Sequence, residues 1–531
     1  MNNLIIAEQF HQLSKLMELH QENPFKIKAI ANAASIIEKL HQDITLQNYN
    51  ELASIKGIGK NILEKIREVL EYGKIKELEH YEKITPESVV ELLNIKGLGA
   101  NRVYKLWKEY NIENIEQLIS ALENQQLQGI KGFTEKLQKN ILENTYFYLE
   151  NKNKLQLGIA LSITKTITDI LKQHHISAEI TGELRRQCEI ISNIELITTH
   201  HIPKDVLNII QNLSPIPVKV HQTDEKNYYY QFFKTTGSSA FLDELPTLHK
   251  KHYSSEKDIF EELNIPYIIP PQRESKKEHH LVEEIKYSSK PIQFEDIKGI
   301  LHCHTTYSDG IHSLKELADY CKEQGFEYLG ICDHSQTAKY AGGLEPERVL
   351  QQFEEIEKYN HQHSSFKILK GIESDILKNG DLDYENDLLS QFDFVVASIH
   401  QHFEMTEAEA TKRIIKAIEN SYTSILGHLT GRLLLIRKGY PVNHQKIIDA
   451  CAANNVIIEL NANTYRLDID WRWLQYCINK GVKIAINPDA HSKTAIYDTQ
   501  YGVMVAQKAG IPKEMVTNTY SLQEILSIFN K

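Results

Sequence analysis

Nine side chains of the types that hold metal ions recur in the second half of this 531-residue sequence, each in a similar setting. His302 and His304 close "IKGILHCH", and Asp309 follows in "TTYSDG". His334 closes "EYLGICDH", Glu373 "FKILKGIE", His400 "DFVVASIH" and His428 "SILGH", while "VKIAINPDAH" supplies Asp489 and His491. A lone histidine at the end of an apolar run is ordinarily a packed or hydrogen-bonded one. Nine such residues in one setting point to a shared purpose. Imidazole mixed with carboxylate suits Zn²⁺, Mn²⁺ or Fe²⁺. Clustered ions of that kind lower the pKa of water and hold phosphate oxygens, so phosphoester hydrolysis is the natural reaction.

Positioning these groups is a task for strands. From about residue 297 short apolar runs alternate with helical segments, the texture of a parallel α/β domain. "NVIIELN" adds a seventh strand without a ligand of its own. In a closed parallel barrel the carboxyl ends of the strands converge on one face, so the nine residues are expected in one cage. Glu373, His400 and Arg432 are the catalytic candidates. Arg432, in "HLTGR", is open to two readings, a clamp for substrate phosphate or a structural ion pair. His361, His363 and His402 are assigned to solvent.

The motifs "HCHTTYSDG", "CDHS", "GIESDI", "SIH", "GHLTGR" and "NPDAH" together resemble the polymerase and histidinol phosphatase (PHP) domain, a metal-dependent phosphoesterase on a distorted barrel. The resemblance implies three ions. One would sit on His302, His304, Glu373 and Asp489, a second on Glu373, His400 and His428, and a third on Asp309, His334 and His491. Leu429 stands where that family has a proline, a departure expected to alter the turn more than the metals.

At the front, "LASIKGIGKNILEKI", "LLNIKGLGANRVYKL" and the degraded "LQGIKGFTEKLQKNI" are three helix-hairpin-helix units. The turn glycines let the backbone approach a phosphate, and the amides of the next helix face the anion. Gly57, Gly59, Lys60, Gly97 and Gly99 are therefore the DNA-binding candidates. Thr134 replaces the second glycine of the third copy, which is expected to be structural only. Together with "ENPFKIKAIANAASIIEKL", these hairpins resemble the opening of family X DNA polymerases. That resemblance implies a Schiff-base lysine at Lys65. Read from its neighbours Glu64, Arg67 and Glu68 alone, Lys65 is better taken as a solvated helix lysine touching phosphate.

"SAEITGELRRQCEIISNIELITTH" resembles the palm of the same family, whose pattern is Gly-Ser, two arginines and then Asp-x-Asp. Gly182, Arg185 and Arg186 match. Glu183 replaces the serine that touches triphosphate, Asn193 and Glu195 stand at the two aspartate positions, and His221 at the third. Two-metal phosphoryl transfer needs several carboxylate oxygens, and Mg²⁺ prefers them to amide or imidazole. Mg²⁺ at the palm, and with it polymerase activity, is expected to be weak or absent, with Asp224 as the one residue that rescues it.

A net charge of −11 excludes a protein that grips nucleic acid by bulk electrostatics. Residues 1–150 themselves carry slightly more acid than base. A hydrophobic share of 41%, no apolar run near the roughly 20 residues of a membrane span, no secretory leader and six scattered cysteines suggest a soluble cytoplasmic protein without membrane partners. The expected architecture is multidomain α and α/β. It comprises helix-hairpin-helix domains at 1–80 and 81–150, a nucleotidyltransferase-like palm at 151–240, a thumb-like unit with a charged linker at 241–290, and a distorted (β/α)7 barrel at 291–531. DNA is the expected partner and a monomer the expected state. Over nearly the whole chain this order resembles bacterial family X polymerases, whose PHP domain acts as a 3′→5′ exonuclease.

Overall fold

In the computed structural model, residues 3–38, 40, 44–55, 57–282 and 291–529 are described, and the chain forms two compact units, 1–152 and 153–531. Residues 283–290 of the expected linker lie outside the described residues. The first unit is helical. Its core gathers Phe10, Leu13 and Met17 of the helix Asn3–Leu19 with Ala33, Ala34 and Ile37 of Pro24–Glu38 and with the apolar faces of both hairpins.

The hairpins show why their two glycines differ. Gly57 and Gly97 adopt φ of +104° and +96°, a region that L side chains rarely enter. At Gly57 a Cβ would also stand 2.7 Å from Ile36 Cδ1. Gly59 and Gly99 instead have extended backbone and cap the helices Lys60–Tyr72 and Ala100–Tyr110, with no side chain bonded over the first amides. In the third copy Thr134 occupies that cap and its hydroxyl accepts from Leu137 N at 3.3 Å. The hydroxyl takes the amide that a phosphate would use.

The second unit opens with a small palm-like sheet. Strand β1 (Leu155–Gln156) pairs antiparallel with β3 (Ile190–Ile191), while β2 (Glu179–Thr181), β4 (Ile194–Thr198) and β5 (Val218–Gln222) form a second sheet with β4 central. Helices Leu157–Gln173 and Lys204–Asn212 cover it through Ala160, Ile167, Val206 and Ile210. A separate aromatic cluster, Phe233, Phe241, Tyr253 and Phe260, holds the thumb-like part. The stretch "PPQRESKK" was expected to be a charged linker, and here the structure corrects the expectation. Arg273 is fully buried and paired with Glu256, and Glu274 bonds both Arg186 (2.9 Å) and Lys508 of the barrel (2.7 Å). Arg273 and Glu274 are thus paired inside the protein where palm-like part and barrel meet, while Lys276 and Lys277 are exposed as a linker's charges would be.

Seven parallel strands follow, β6 (Gly299–Cys303), β7 (Tyr328–Ile331), β8 (Lys367–Asp375), β9 (Phe394–Ser398), β10 (Ile425–Leu426), β11 (Ile457–Asn461) and β12 (Ile484–Asn487), each beside the next in chain order. A bridge from Cys303 to Ala490 brings the two edges together, so the barrel is nearly closed. Every residue of β6, β7 and β9–β12 is buried, as parallel strands covered on both faces should be. Side chains near the strand starts, including Leu301, Tyr328, Phe394 and Ile457, pack on Ile525 and Phe529 of the helix Leu522–Phe529. That helix plugs one mouth with apolar surface and leaves the carboxyl ends for polar groups. Among the described residues no helix is long and apolar enough to cross a membrane.

Candidate metal centre

All nine residues fall within or just beyond the carboxyl ends of the strands. His302 and Glu373 lie inside β6 and β8, His304 directly follows β6, and His400, His428 and Asp489 each stand two residues past β9, β10 and β12. His302 depends on a register shift between Ile300 and Cys303 in the pairing of β6 with β7. Leu301 enters the inner apolar cluster and its neighbour His302 bonds Glu459 inside the barrel, so two consecutive side chains turn inward, which a bulge permits and regular alternation forbids.

Glu373 is the hub. Its carboxylate, 1% exposed, lies 3.0 Å from His428 Nε2 and His334 Nδ1, 3.2 Å from His400 Nε2, 3.6 Å from His302 Nε2 and 3.7 Å from His304 Nε2. Asp489 Oδ1 stands 3.0 Å from His304 Nε2 and 3.7 Å from His302 Nε2. Asp309 Oδ1 stands 3.2 Å from His491 Nε2 and 3.6 Å from His334 Nε2. Ligands about 2.1 Å from one tetrahedral ion are about 3.4 Å apart, so these separations fit metal coordination. His302 Nε2, His304 Nδ1, His334 Nδ1 and Glu373 Oε2 are buried without a well-formed hydrogen bond, which is costly unless a further partner binds there. The donor set therefore fits divalent metal ions.

The geometry groups the residues somewhat differently from the expected ligand sets. Asp309, His334 and His491 do converge, joined by His304, while His302, His304 and Asp489 form a second group and His334, Glu373 and His400 a third. His304 and His334 thus each belong to two groups.

Around the cage lie residues that the sequence reading missed. Asp375 accepts from His400 Nδ1 at 2.9 Å, which leaves Nε2 facing Glu373. Glu459, on the strand assigned no role, is fully buried and accepts from His302 Nδ1 (2.7 Å), Asn487 Nδ2 (3.0 Å), Asn461 Nδ2 (3.0 Å) and His428 N (3.1 Å). Asp333 takes the Thr305 amide (2.8 Å), Ser308 amide (3.2 Å) and Gln352 amide (2.6 Å), fixing the loop that carries Asp309. A charge flanked by apolar residues on a wholly buried strand was the available signal for Glu459, since such a charge must have partners.

Arg432 resolves towards the structural alternative. Its guanidinium binds Asp470 Oδ2 (2.7 Å), Arg466 O (2.9 Å) and Leu467 O, which commits it to the loop beside the cage. Arg466 is an arginine that does reach a cage residue, with Nε 3.5 Å from Asp489 Oδ2. Leu429 is buried, while the backbone on either side of it is held by Glu459 at His428 N and by Asp468 at Thr430 N. His361 and His402 are exposed, but His363 stacks on Tyr359 at 4.1 Å.

Electrostatics leave protons in the metal-free cage. Burial opposes charge on His400, yet the Glu373 and Asp375 carboxylates lift its pKa to about 10. Burial opposes charge on His491 as well, and its bond to Asp309 with the nearby Asp489 raises it to about 9. His304 falls to about 4, because burial and the neighbouring His491 and His334 all disfavour another positive charge. A cation entering at pH 7 must displace the protons of His400 and His491, so metal uptake is expected to release protons and to tighten as pH rises towards about 10. Calorimetry in buffers of different ionisation heat checks this, and uptake without proton release at pH 7 would contradict it.

The palm-like site contrasts sharply. Asn193 sits one residue before β4, and Glu195 on it. Glu195 Oε2 bonds His221 Nε2 at 2.7 Å, and its carboxylate fills the space where Gly182 would carry a Cβ. Glu183 turns to the amides of Ser192 (2.5 Å) and Asn193 (3.4 Å). Arg185 is held by Glu256 through both terminal nitrogens (3.0 and 2.6 Å) and Arg186 by Glu274. Asp224 is exposed and bonded to Asn227, 2.8 Å from its amide. In the first unit Lys65 is buried, with Nζ 2.6 Å from Glu77, which also holds Lys26 at 2.6 Å.

Helix-hairpin-helix families match residues 1–75 and, as a SAM-like tandem, 89–144, and the PHP domain family matches 301–463. Fold and site thus define a metal-dependent phosphoesterase joined to DNA-binding hairpins. The DNA polymerase/3′-5′ exonuclease PolX of Bacillus subtilis is 33% identical over 98% of this chain and 98% of its own length. The chain belongs to the bacterial family X DNA polymerases that carry a PHP domain. Probable phosphatases of Clostridium acetobutylicum and Thermoanaerobacter sp. (strain X514) are each 28% identical over 41% and 42% of this chain, covering 89% and 91% of their own lengths.

Proposed function

We propose that this chain processes DNA ends. Its barrel hydrolyses phosphodiesters at 3′ termini, and its palm-like part positions DNA with little or no polymerase activity. The observation that carries this reading is the contrast between the two sites: the cage brings eight donors into ligand groups and His428 against Glu373, whereas the palm-like site offers Glu195 already bonded to His221, and arginines already neutralised by Glu256 and Glu274.

The cage would hold three ions, Zn²⁺, Mn²⁺ or Fe²⁺. Such ions supply Lewis acidity and water of lowered pKa. The chain itself supplies their placement: Glu373 bridges ligand groups, Asp375 and Glu459 fix which imidazole nitrogens face inward, and Arg466 offers a guanidinium for phosphate oxygens. Gly57, Gly59 and Lys60, with Gly97 and Gly99, present helix amides to backbone phosphates without reading sequence. Lys65 would have to leave its ion pair with Glu77 before acting as a nucleophile, so it serves structure. The protein works as a cytoplasmic monomer. The printed name of the Bacillus subtilis relative supports a nuclease, while the probable phosphatases favour a second reading, hydrolysis of small phosphomonoesters.

One experiment separates the readings. Purified protein with Mn²⁺ is expected to shorten a gapped duplex from its 3′ end, to hydrolyse phosphomonoesters far less efficiently, and to extend the primer negligibly when nucleotides are added. Faster monoester than DNA turnover would favour the phosphatase. Template-directed extension by a His304→Ala variant would restore the polymerase.

A further inference from the structure

Tyr340 is a large aromatic residue that the fold leaves in solvent. It is 69% exposed, and its ring centroid lies 6.3 Å from that of His334, a member of the cage. Ala338 and Ala341 are buried, so the short 3-10 turn Lys339–Ala341 is anchored at both ends while Lys339 and Tyr340 point outward.

The turn is firmly held. Leu344 N donates to His334 O (2.8 Å), Gly343 N to Ala338 O (3.1 Å) and Ala338 N to Ser335 O (3.0 Å). Arg348 ties Gly342 O (3.2 Å) to Tyr307 O (2.6 Å), the Gln401 side chain donates to Thr337 O (2.9 Å), and Asp383 accepts from the Thr337 amide (2.8 Å). At Gly343 a Cβ would stand 2.0 Å from Ser335 O, so the loop has no slack there. The exposed ring is therefore presented at the rim of the cage, beside His334.

An exposed ring on a pinned loop loses little conformational freedom when something stacks on it. Every nucleobase has a face that stacks on an aromatic side chain, whatever its sequence. A phosphodiester bound in the cage brings the base of its own nucleotide to the rim. We propose that Tyr340 is the specificity-determining platform on which the base of the terminal nucleotide stacks, so that the site selects nucleotide phosphodiesters over phosphoesters without a base. This rests on the nuclease reading above.

The test compares 3′-exonuclease rates, with Mn²⁺, on oligonucleotides ending in thymidine and in an abasic tetrahydrofuran nucleotide. The wild-type protein is expected to prefer the base-bearing end by about ten-fold in kcat/KM. Tyr340→Ala should collapse that ratio towards one, mainly through KM, whereas Tyr340→Trp should keep it. An equal loss on both ends, or a ratio that survives Tyr340→Ala, overturns the proposal. Wild-type protein that fails to shorten either end overturns the nuclease reading itself, so the two failures are distinguishable.

Discussion

Glu373→Gln is expected to lower phosphodiester hydrolysis by at least about a thousand-fold and to strip bound metal from the protein. The size follows from position. One carboxylate faces five imidazoles at 3.0–3.7 Å, and Oε2 is among the buried atoms that lack a well-formed hydrogen bond. Glutamine keeps the shape but loses the charge, and its amide turns N–H groups towards ring nitrogens that should donate lone pairs to a cation. Losing metal-based stabilisation of several kcal/mol is three decades or more in rate. Metal analysis by emission spectroscopy and a 3′-shortening assay at saturating Mn²⁺ provide the check. A variant that keeps its full metal content and works within ten-fold of wild type would remove Glu373 from the centre.

The cage was legible in the sequence because its signal is repetition. The ligands close an apolar run or follow shortly after one, and parallel strands carry their carboxyl ends to one face whatever the details of packing. Groups defined by a partner distant in sequence were hidden. Lys65 was judged against Glu64, Arg67 and Glu68, yet its partner is Glu77 on the following helix. Arg432 looked like a clamp because it follows a ligand, and Asp470 claimed it, while Arg466 came to the cage from a loop with no motif. The inward turn of His302 needs a bulge that alternation does not predict. Arg273 and Glu274 of "RESKK" read as solvated linker because their partners, Glu256 for the first and Arg186 and Lys508 for the second, lie in three other segments.

The same reasoning explains how the palm-like arginines are held. Arg185 and Arg186 are half-buried against Glu256 and Glu274, and Glu274 also binds Lys508 of the barrel. Removing one member of such a set leaves an uncompensated charge. Arg185 is thus held by Glu256 of the thumb-like part, and Arg186 by the packing of palm-like part on barrel.

Glu459→Gln is the sharpest test of how the cage is held, because the substitution changes neither size nor shape. Both carboxylate oxygens accept from two donors, Oε2 from His302 Nδ1 and Asn487, Oε1 from His428 N and Asn461. Whichever way a glutamine amide is turned, its NH₂ meets two donors. Facing His428 N it abuts a backbone amide that cannot reverse. Facing His302 it forces the proton from Nδ1 to Nε2, and Nε2 is the nitrogen aimed at Glu373 and Asp489. Loss of such an orienting partner typically weakens metal binding by about 10- to 100-fold. The variant is therefore expected to purify with metal missing, to take it up again only at raised concentration, and to keep its fold by circular dichroism, since the barrel core is untouched. Glu459→Asp, which retains the charge at shorter reach, should fall between. Wild-type metal affinity in Glu459→Gln would mean that His302 is oriented by strand geometry alone.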